Sequence, residues 1–174
     1  MSENKNIKTI YFAGGCFWGM QKLMQSLKGV AGTAVGYANG KPSLKPVYEL
    51  VKQGQSGYKE TVKVDYNPQI IPLENLLKAY FFVTDVTVTN RQGHDEGPQY
   101  QTGIYYTEEA DKPSIDKIAN EERKKYDRFM VQIEPLSNFF KAEEYHQDYL
   151  IKNPSGYCHI SPSKMLECKE KLGL

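Results

Sequence analysis

An α+β fold of two layers, helices packed on a mixed or antiparallel sheet, is predicted by three features of this chain. Its apolar pattern switches between strand and helix periods in the order β-α-β-β-α-β-α-β-α, with strands both before and after helices. From Tyr58 to Tyr66 the even positions Tyr58, Glu60, Val62, Val64 and Tyr66 alternate strictly with Lys59, Thr61, Lys63 and Asp65, as in a strand with one buried face. After Cys16, the residues Phe17, Met20, Leu23, Met24 and Leu27 recur at helical spacing. This pattern leaves the strand order open.

Taken in order, Ile7 to Phe12 is short, β-branched and aromatic, and reads as a buried strand that Gly14-Gly15 breaks. The helix from Cys16 ends at Gly29, a stop signal. Val30 to Val35 can form a second strand, and a Gly/Asn/Pro/Lys loop follows through Pro46 before the alternating strand. Pro72 to Phe82 reads as a helix, whereas the polar stretch Thr84 to Gln99 fits no regular period and reads as a functional loop. Gly103 to Thr107 is a short strand, and Pro113 opens a charged helix running to about Asp127. Phe129, Val131 and Ile133 alternate as a last strand, and Ala142 to Lys152 reads as a final helix closed by Asn153 to Gly156. No repeat, low-complexity tract or linker divides the sequence. Residues 1–174 are therefore expected to form one domain, with those after about 160 as a C-terminal tail.

Composition excludes several classes. The 22 basic and 21 acidic side chains leave a net charge of +1, too little to attract a nucleic-acid backbone or an anionic membrane. No run of 18 apolar residues is present to span a bilayer. Met1 to Lys8 is polar and lacks the apolar segment of a signal peptide, so a cytoplasmic protein is expected. The 3 cysteines, Cys16, Cys158 and Cys168, are odd in number and far apart, which argues against a static disulfide scaffold and leaves thiol chemistry open. Neither C-x-x-C nor H-E-x-x-H occurs, and Glu143-x-x-His146 is only half of a di-iron pattern, so no metal and no cofactor are expected. His146 reads as a structural hydrogen-bonding residue, and Gly54 to Gly57 as a plain turn.

The candidate nucleophile is Cys16, where a buried strand turns through two glycines into a helix. Outward-pointing amides and the partial positive charge at such a helix start should lower the thiol pKa and favour the reactive thiolate. Phe17 and Trp18 follow on the first turn, about 100° apart, so they cannot both face the core, and one or both can wall a pocket beside the sulfur. The plain alternative is that Cys16 is a small buried hydrophobe and both rings are core. Glu60 lies on the apolar face of its strand, where desolvation favours the neutral acid, able to donate a proton to an oxygen. Its plain alternatives are a buried Glu paired with a Lys or Arg, or a strand end twisted into water.

These residues resemble the peptide methionine sulfoxide reductases of the A type. Gly15-Cys16-Phe17-Trp18-Gly19 is similar to that family's nucleophile signature. Further blocks follow in the family's order: Gly36 to Gly40, Tyr48, Gly57 to Glu60, Tyr66-Asn67-Pro68, Asn90 to Gly93, Asp95, Gln99-Tyr100, Ala142 to Gln147 and Gly156-Tyr157-Cys158. The resemblance covers roughly residues 8 to 160. It implies a ferredoxin-like α/β sandwich with extra loops, and reduction of the S epimer of methionine sulfoxide, protein-bound or free. It further implies that Cys16 attacks the sulfoxide sulfur and that Phe17 and Trp18 receive the methyl group. Glu60 would protonate the oxygen, Tyr48 and Tyr100 would hydrogen-bond it, and Asp95 would serve the substrate-binding loop. The resulting sulfenic acid would be resolved by Cys158 as a disulfide, which thioredoxin or another dithiol reductant would reduce. No nucleic acid and no membrane enter this scheme.

The chain departs from the family pattern at Tyr58-Lys59, at Thr84-Asp85-Val86, at His94 and at Lys52, changes that bear on pocket shape and substrate preference more than on the reaction. Cys168 stands in a sequence unlike the family's second recycling block, and either relays the disulfide as a second recycling thiol or packs under a C-terminal helix. The competing functional reading is another thiol enzyme, such as a peroxide reductase, or a redox-sensing binding module.

Overall fold

The computed structural model describes residues 6–174. The polar start read at Met1 to Lys8 lies mostly outside the described residues. Strand β1 (Lys8–Ala13), helix α1 (Phe17–Gln25), strand β2 (Val30–Ala38), the single turn α2 (Tyr48–Val51) and strand β3 (Lys59–Tyr66) come first. Helix α3 (Leu73–Val83), a two-residue ribbon β4 (Arg91–Gln92) and β5 (Asp95–Glu96), strand β6 (Gly103–Tyr106) and helix α4 (Lys112–Arg123) follow. Strands β7 (Gln132–Pro135) and β8 (Phe139–Lys141) and helices α5 (Tyr149–Lys152) and α6 (Pro162–Leu172) complete the chain.

The main sheet has the order β7-β6-β1-β3-β2-β8. Its pairings are antiparallel except for β6 with β7, which are parallel and joined through α4. The inner four strands β6-β1-β3-β2, with α1 and α3 as connections, form the ferredoxin-like core, so the mixed two-layer prediction holds. Alternation decides which face is packed. Ile10 and Phe12 of β1, Val62, Val64 and Tyr66 of β3, and Ile104 of β6 join Leu23, Met24, Leu76, Leu77 and Tyr80 from the helices in one core. Tyr11, Ala13, Ala38 and Tyr105 point to the opposite face, where they form a small cluster with Leu136 and Phe139. Phe12 stacks on Tyr80 at 5.0 Å between ring centres, which locks α3 onto the sheet beneath the β1–α1 turn.

Three expectations change. Ala142 to Lys152 is not one helix. A 3-10 turn covers Glu144–His146, Asp148 takes a left-handed φ of 56°, and α5 begins after it. The cause is Gln147, whose amide oxygen accepts from Val35 N–H at 2.9 Å while its amide nitrogen donates to Val35 O at 2.9 Å and Ala142 O at 3.0 Å. These tertiary bonds at the β2 edge replace a helical ladder. The stretch 84–99 is not featureless, because β4 and β5 pair there and bring Asp95 towards α1. Residues beyond 160 form α6, capped by Ser161, whose hydroxyl accepts from Lys164 N–H at 3.1 Å, and ended by Gly173 in the left-handed region. A Ser-Pro start and a Gly end are readable signals, and such a cap contributes about 1 kcal/mol.

Candidate active site

The β1–α1 turn builds the site. Gly15 has φ +84°, a conformation that L side chains rarely adopt, and a β-carbon there would lie 2.6 Å from Gln92. That tight turn sets Cys16 at the cap position of α1, 7 % exposed. Phe17 and Trp18 then diverge as expected from successive helical positions: Phe17 is buried in the core, while Trp18 is half-buried.

The alternation of β3 carries Glu60 to the helix-facing side, 3 % exposed, beneath the start of α1. The Phe17 N–H, one of the free amides of the helix start, donates to Glu60 Oε1 at 3.2 Å. No lysine or arginine pairs with Glu60 among the described ion pairs. Burial pushes its carboxyl up to about 8, with the Phe17 N–H opposing and Asp95 adding to the rise. At neutral pH Glu60 is therefore mostly a neutral acid, as its place on the apolar face predicted.

Cys16 behaves differently from expectation. Burial pushes its thiol well above the usual range, with Glu60 adding to the rise and the Trp18 N–H opposing. Position at a helix start is not sufficient here, because the sulfur is desolvated and lies beside Glu60. The resting site holds a thiol and an acid rather than a thiolate.

Both groups open onto one cavity of about 170 Å³, which Phe17, Trp18, Tyr48, Asp95 and Tyr100 also line. Every substrate-site residue expected from the sequence thus converges there. Tyr48, the first residue of α2, is fixed by Glu143, whose carboxylate accepts from Tyr48 N–H at 2.9 Å and from Tyr37 OH at 2.8 Å. Tyr100 ends the 3-10 turn Pro98–Tyr100. Burial pushes both phenols up, Glu60 adding, so both remain hydrogen-bond donors.

Sequence reasoning missed four contributors. His146, taken as structural, does accept from Trp18 Nε1–H at 3.1 Å, but it also lines the cavity. Tyr149 stacks on Trp18 at 3.7 Å between ring centres and 11° between planes, completing the aromatic wall. Tyr157 closes the cavity from the segment before Cys158, its phenol pushed up to about 12 by burial and then by Asp95. Glu143 positions Tyr48. Apolar periodicity carries no information on such long-range polar contacts.

Cys158 is half-buried beside the site, and its S–H donates to Ile160 O at 2.8 Å. Burial raises its thiol pKa. It lies against the first turn of α1, since a β-carbon on Gly19 would be 3.0 Å from its sulfur. Cys168 is elsewhere. It lies on α6 itself, fully buried against α3, with its sulfur 3.9 Å from the carbonyl oxygen of Ala79.

Known proteins resemble this chain along nearly its whole length. The family model for peptide methionine sulfoxide reductase matches residues 8–172. The "Peptide methionine sulfoxide reductase MsrA" of Lachnoclostridium phytofermentans is 52 % identical over 158 residues, covering 88 % of this chain and 92 % of that protein. Among solved structures, Mxr1 from Saccharomyces cerevisiae in reduced form superposes with a TM-score of 0.86 at 37 % identity, covering 90 % of this chain and 92 % of that one. Mxr1 in complex with Trx2 superposes with a TM-score of 0.60 at 28 % identity, covering 83 % and 86 %.

Proposed function

Because this chain belongs to the peptide methionine sulfoxide reductase family, we propose that it reduces the S epimer of methionine sulfoxide, protein-bound or free, and is recycled by a thioredoxin-type dithiol. It is an oxidoreductase of that family, with residues 1–174 read as one catalytic domain. The observation that carries the reading is that the Cys16 sulfur and the neutral acid of Glu60 share one small cavity with an aromatic wall.

In this reading the sulfoxide methyl lies against Phe17 and Trp18, and Asp95 meets the rest of the substrate. The oxygen turns towards Glu60, Tyr48 and Tyr100. With the methyl group, the oxygen and the rest of the substrate each given its own partners around the sulfur that Cys16 attacks, this reading is satisfied by one configuration at sulfur. Glu60 transfers its proton to the oxygen, making the sulfur more electrophilic and leaving a carboxylate that accepts the Cys16 thiol proton. This relay suits a nucleophile that rests as a thiol. The Cys16 sulfur bonds to the substrate sulfur, the oxygen transfers to give Cys16 sulfenic acid, and methionine leaves. Cys158 then displaces the hydroxyl group, forming a disulfide and water. A dithiol reductant regenerates both thiols by exchange. The yeast structure bound to Trx2 supports that last step.

One equivalent of S-configured methionine sulfoxide, added without reductant, is expected to remove two free thiols and yield one methionine. Equal turnover of the R epimer, or faster reaction with hydrogen peroxide, overturns the reading.

A further inference from the structure

The residue after Cys158 has a setting that the scheme above does not use. The imidazole of His159 is 5 % exposed, yet it belongs to a segment otherwise half-buried or exposed. It occupies a socket of three glycines. Added β-carbons would lie 3.2 Å from its Nε2 at Gly15, 3.3 Å from its Nδ1 at Gly19, and 3.9 Å from its Cβ at Gly93. Its Nε2 is 2.9 Å from the carbonyl oxygen of Gly14, two residues before Cys16. A carbonyl only accepts, so Nε2 carries the proton and Nδ1 of the neutral ring is a lone-pair acceptor. Among the described residues Nδ1 has no hydrogen-bond partner, and neither does Asp95 Oδ2, which faces it at 4.0 Å.

Both Nδ1 and the Cys158 sulfur are pressed against the same bare edge of α1. The β-carbon that Gly19 lacks would be 3.3 Å from one and 3.0 Å from the other. We propose that His159 anchors the resolving segment through its bond to Gly14 and takes the proton of Cys158 as that thiol attacks the Cys16 sulfenic acid. This assignment rests on the reductase reading. In the step, the Cys158 S–H bond breaks and its proton passes to His159 Nδ1. The S–S bond to Cys16 forms as the S–O bond of the sulfenic acid breaks. The leaving oxygen takes a proton from Glu60 and departs as water. Cys158 is oxidised and the sulfenic sulfur reduced, so no outside oxidant or reductant enters. The imidazolium faces Asp95 until solvent carries its proton away and restores Glu60.

The titratable groups around this pair are Asp95 on β5, Lys22 on α1, Cys16, and Tyr157 on the same segment. Burial holds His159 below its usual 6.5, although Asp95 and the Gly14 carbonyl oppose, so the ring is neutral and able to accept at pH 7.

The test follows disulfide formation by rapid mixing with one equivalent of S-configured methionine sulfoxide, using sulfenic-acid trapping and thiol counting. In the unaltered protein the rate is expected to be flat through neutral pH and to fall only below the usual histidine range. His159→Gln retains an amide that can donate to Gly14 but cannot accept the thiol proton. It should still release one methionine and should resolve the sulfenic acid at least about tenfold more slowly at pH 7, its rate climbing with pH. His159→Ala should do the same. If His159→Gln resolves within about twofold of the unaltered rate, the assignment is overturned. A rate in the unaltered protein that climbs steadily through neutral pH overturns it even if neither variant folds. Absence of any methionine from the unaltered protein overturns the reductase reading as well, whereas normal release with unimpaired resolution in the variants removes only the role of His159.

Discussion

The Phe17 amide donates to Glu60 Oε1 at 3.2 Å, joining the first helical residue after the thiol to the acid buried on β3. One hydrogen bond thereby sets the height of the acid against the sulfur, because Cys16 and Phe17 are adjacent. The next amide, that of Trp18, is the one that opposes the rise in the Cys16 pKa. The nucleophile and the acid are coupled through the backbone.

Glu60→Gln should lower the rate of methionine release by about 10²- to 10⁴-fold, since the amide fills the same space but cannot supply a proton. Substrate affinity should change little. In the unaltered protein the first step should slow as pH rises through about 8, where Glu60 ionises. Single-turnover methionine release across pH checks both, and an unchanged rate in Glu60→Gln removes the acid from the mechanism.

The same group makes a stability prediction whose sign is opposite to that of a paired carboxylate. Glu60 has a folded value of about 8 against 4.5 when unperturbed, so between these limits the unfolded chain ionises while the folded one retains its proton. The folded state binds more protons there, and stability declines as pH rises across that window. Glu60→Gln abolishes this term. Its melting temperature should therefore gain on the unaltered protein steadily from pH 5 to pH 8. A difference independent of pH would mean that Glu60 is already ionised in the fold.

Much of this arrangement was legible in the residues, for reasons that are local. Period-two alternation alone assigned Glu60 to the packed face, and the Gly14-Gly15 break located Cys16 at a helix start. Where local pattern failed, a distant polar group had intervened. The helical reading of Ala142 to Lys152 was defeated by the side chain of Gln147 bonding to β2, 112 residues away in sequence. The thiolate expectation at Cys16 failed because packing desolvates the sulfur and sets it beside Glu60, an acid from the distant strand β3. The place of Tyr48 depends on Glu143, 95 residues later. Apolar periodicity records which side of an element is buried, and carries no information on which polar atoms meet there.

Gln147→Ala tests the strongest of those distant contacts. The amide serves both backbone groups of Val35 and the carbonyl of Ala142, and the residue is 5 % exposed. Its removal strands Val35 N–H and Ala142 O, whereas Val35 O keeps its bond from Ala142 N–H at 2.9 Å; one buried polar group left unsatisfied costs about 1–3 kcal/mol. A loss of about 2–4 kcal/mol in denaturant unfolding is expected, with β8 and the His146 segment loosening first in hydrogen exchange. A loss below about 1 kcal/mol would mean that water replaces the amide.

The three thiols should separate cleanly. Cys158→Ser should release one methionine per chain and stop with Cys16 as a trappable sulfenic acid. Cys168→Ala should sustain multiple turnovers with a dithiol reductant, at a stability cost of about 1 kcal/mol for the buried sulfur. Peptide mapping after one turnover of the unaltered protein should find Cys16 joined to Cys158. A disulfide that includes Cys168 would require α6 to leave α3, and would revive its relay role.

Gly19→Ala sets two effects of one methyl group against each other. Within α1, alanine is favoured over glycine by about 1 kcal/mol, so the isolated helix gains. Yet the new carbon would meet Cys158 Sγ at 3.0 Å and His159 Cε1 at 3.3 Å, and those atoms must give way. The segment that yields is the less packed one, residues 156–159, because Gly19 sits in a helix anchored by Phe17, Met20 and Leu23 in the core. The melting temperature should hold or rise while disulfide formation after the first methionine slows several-fold. Normal recycling with unchanged stability would show that Cys158 resolves the sulfenic acid from a position that never touches α1, and the close packing at Gly19 would then serve only the resting state.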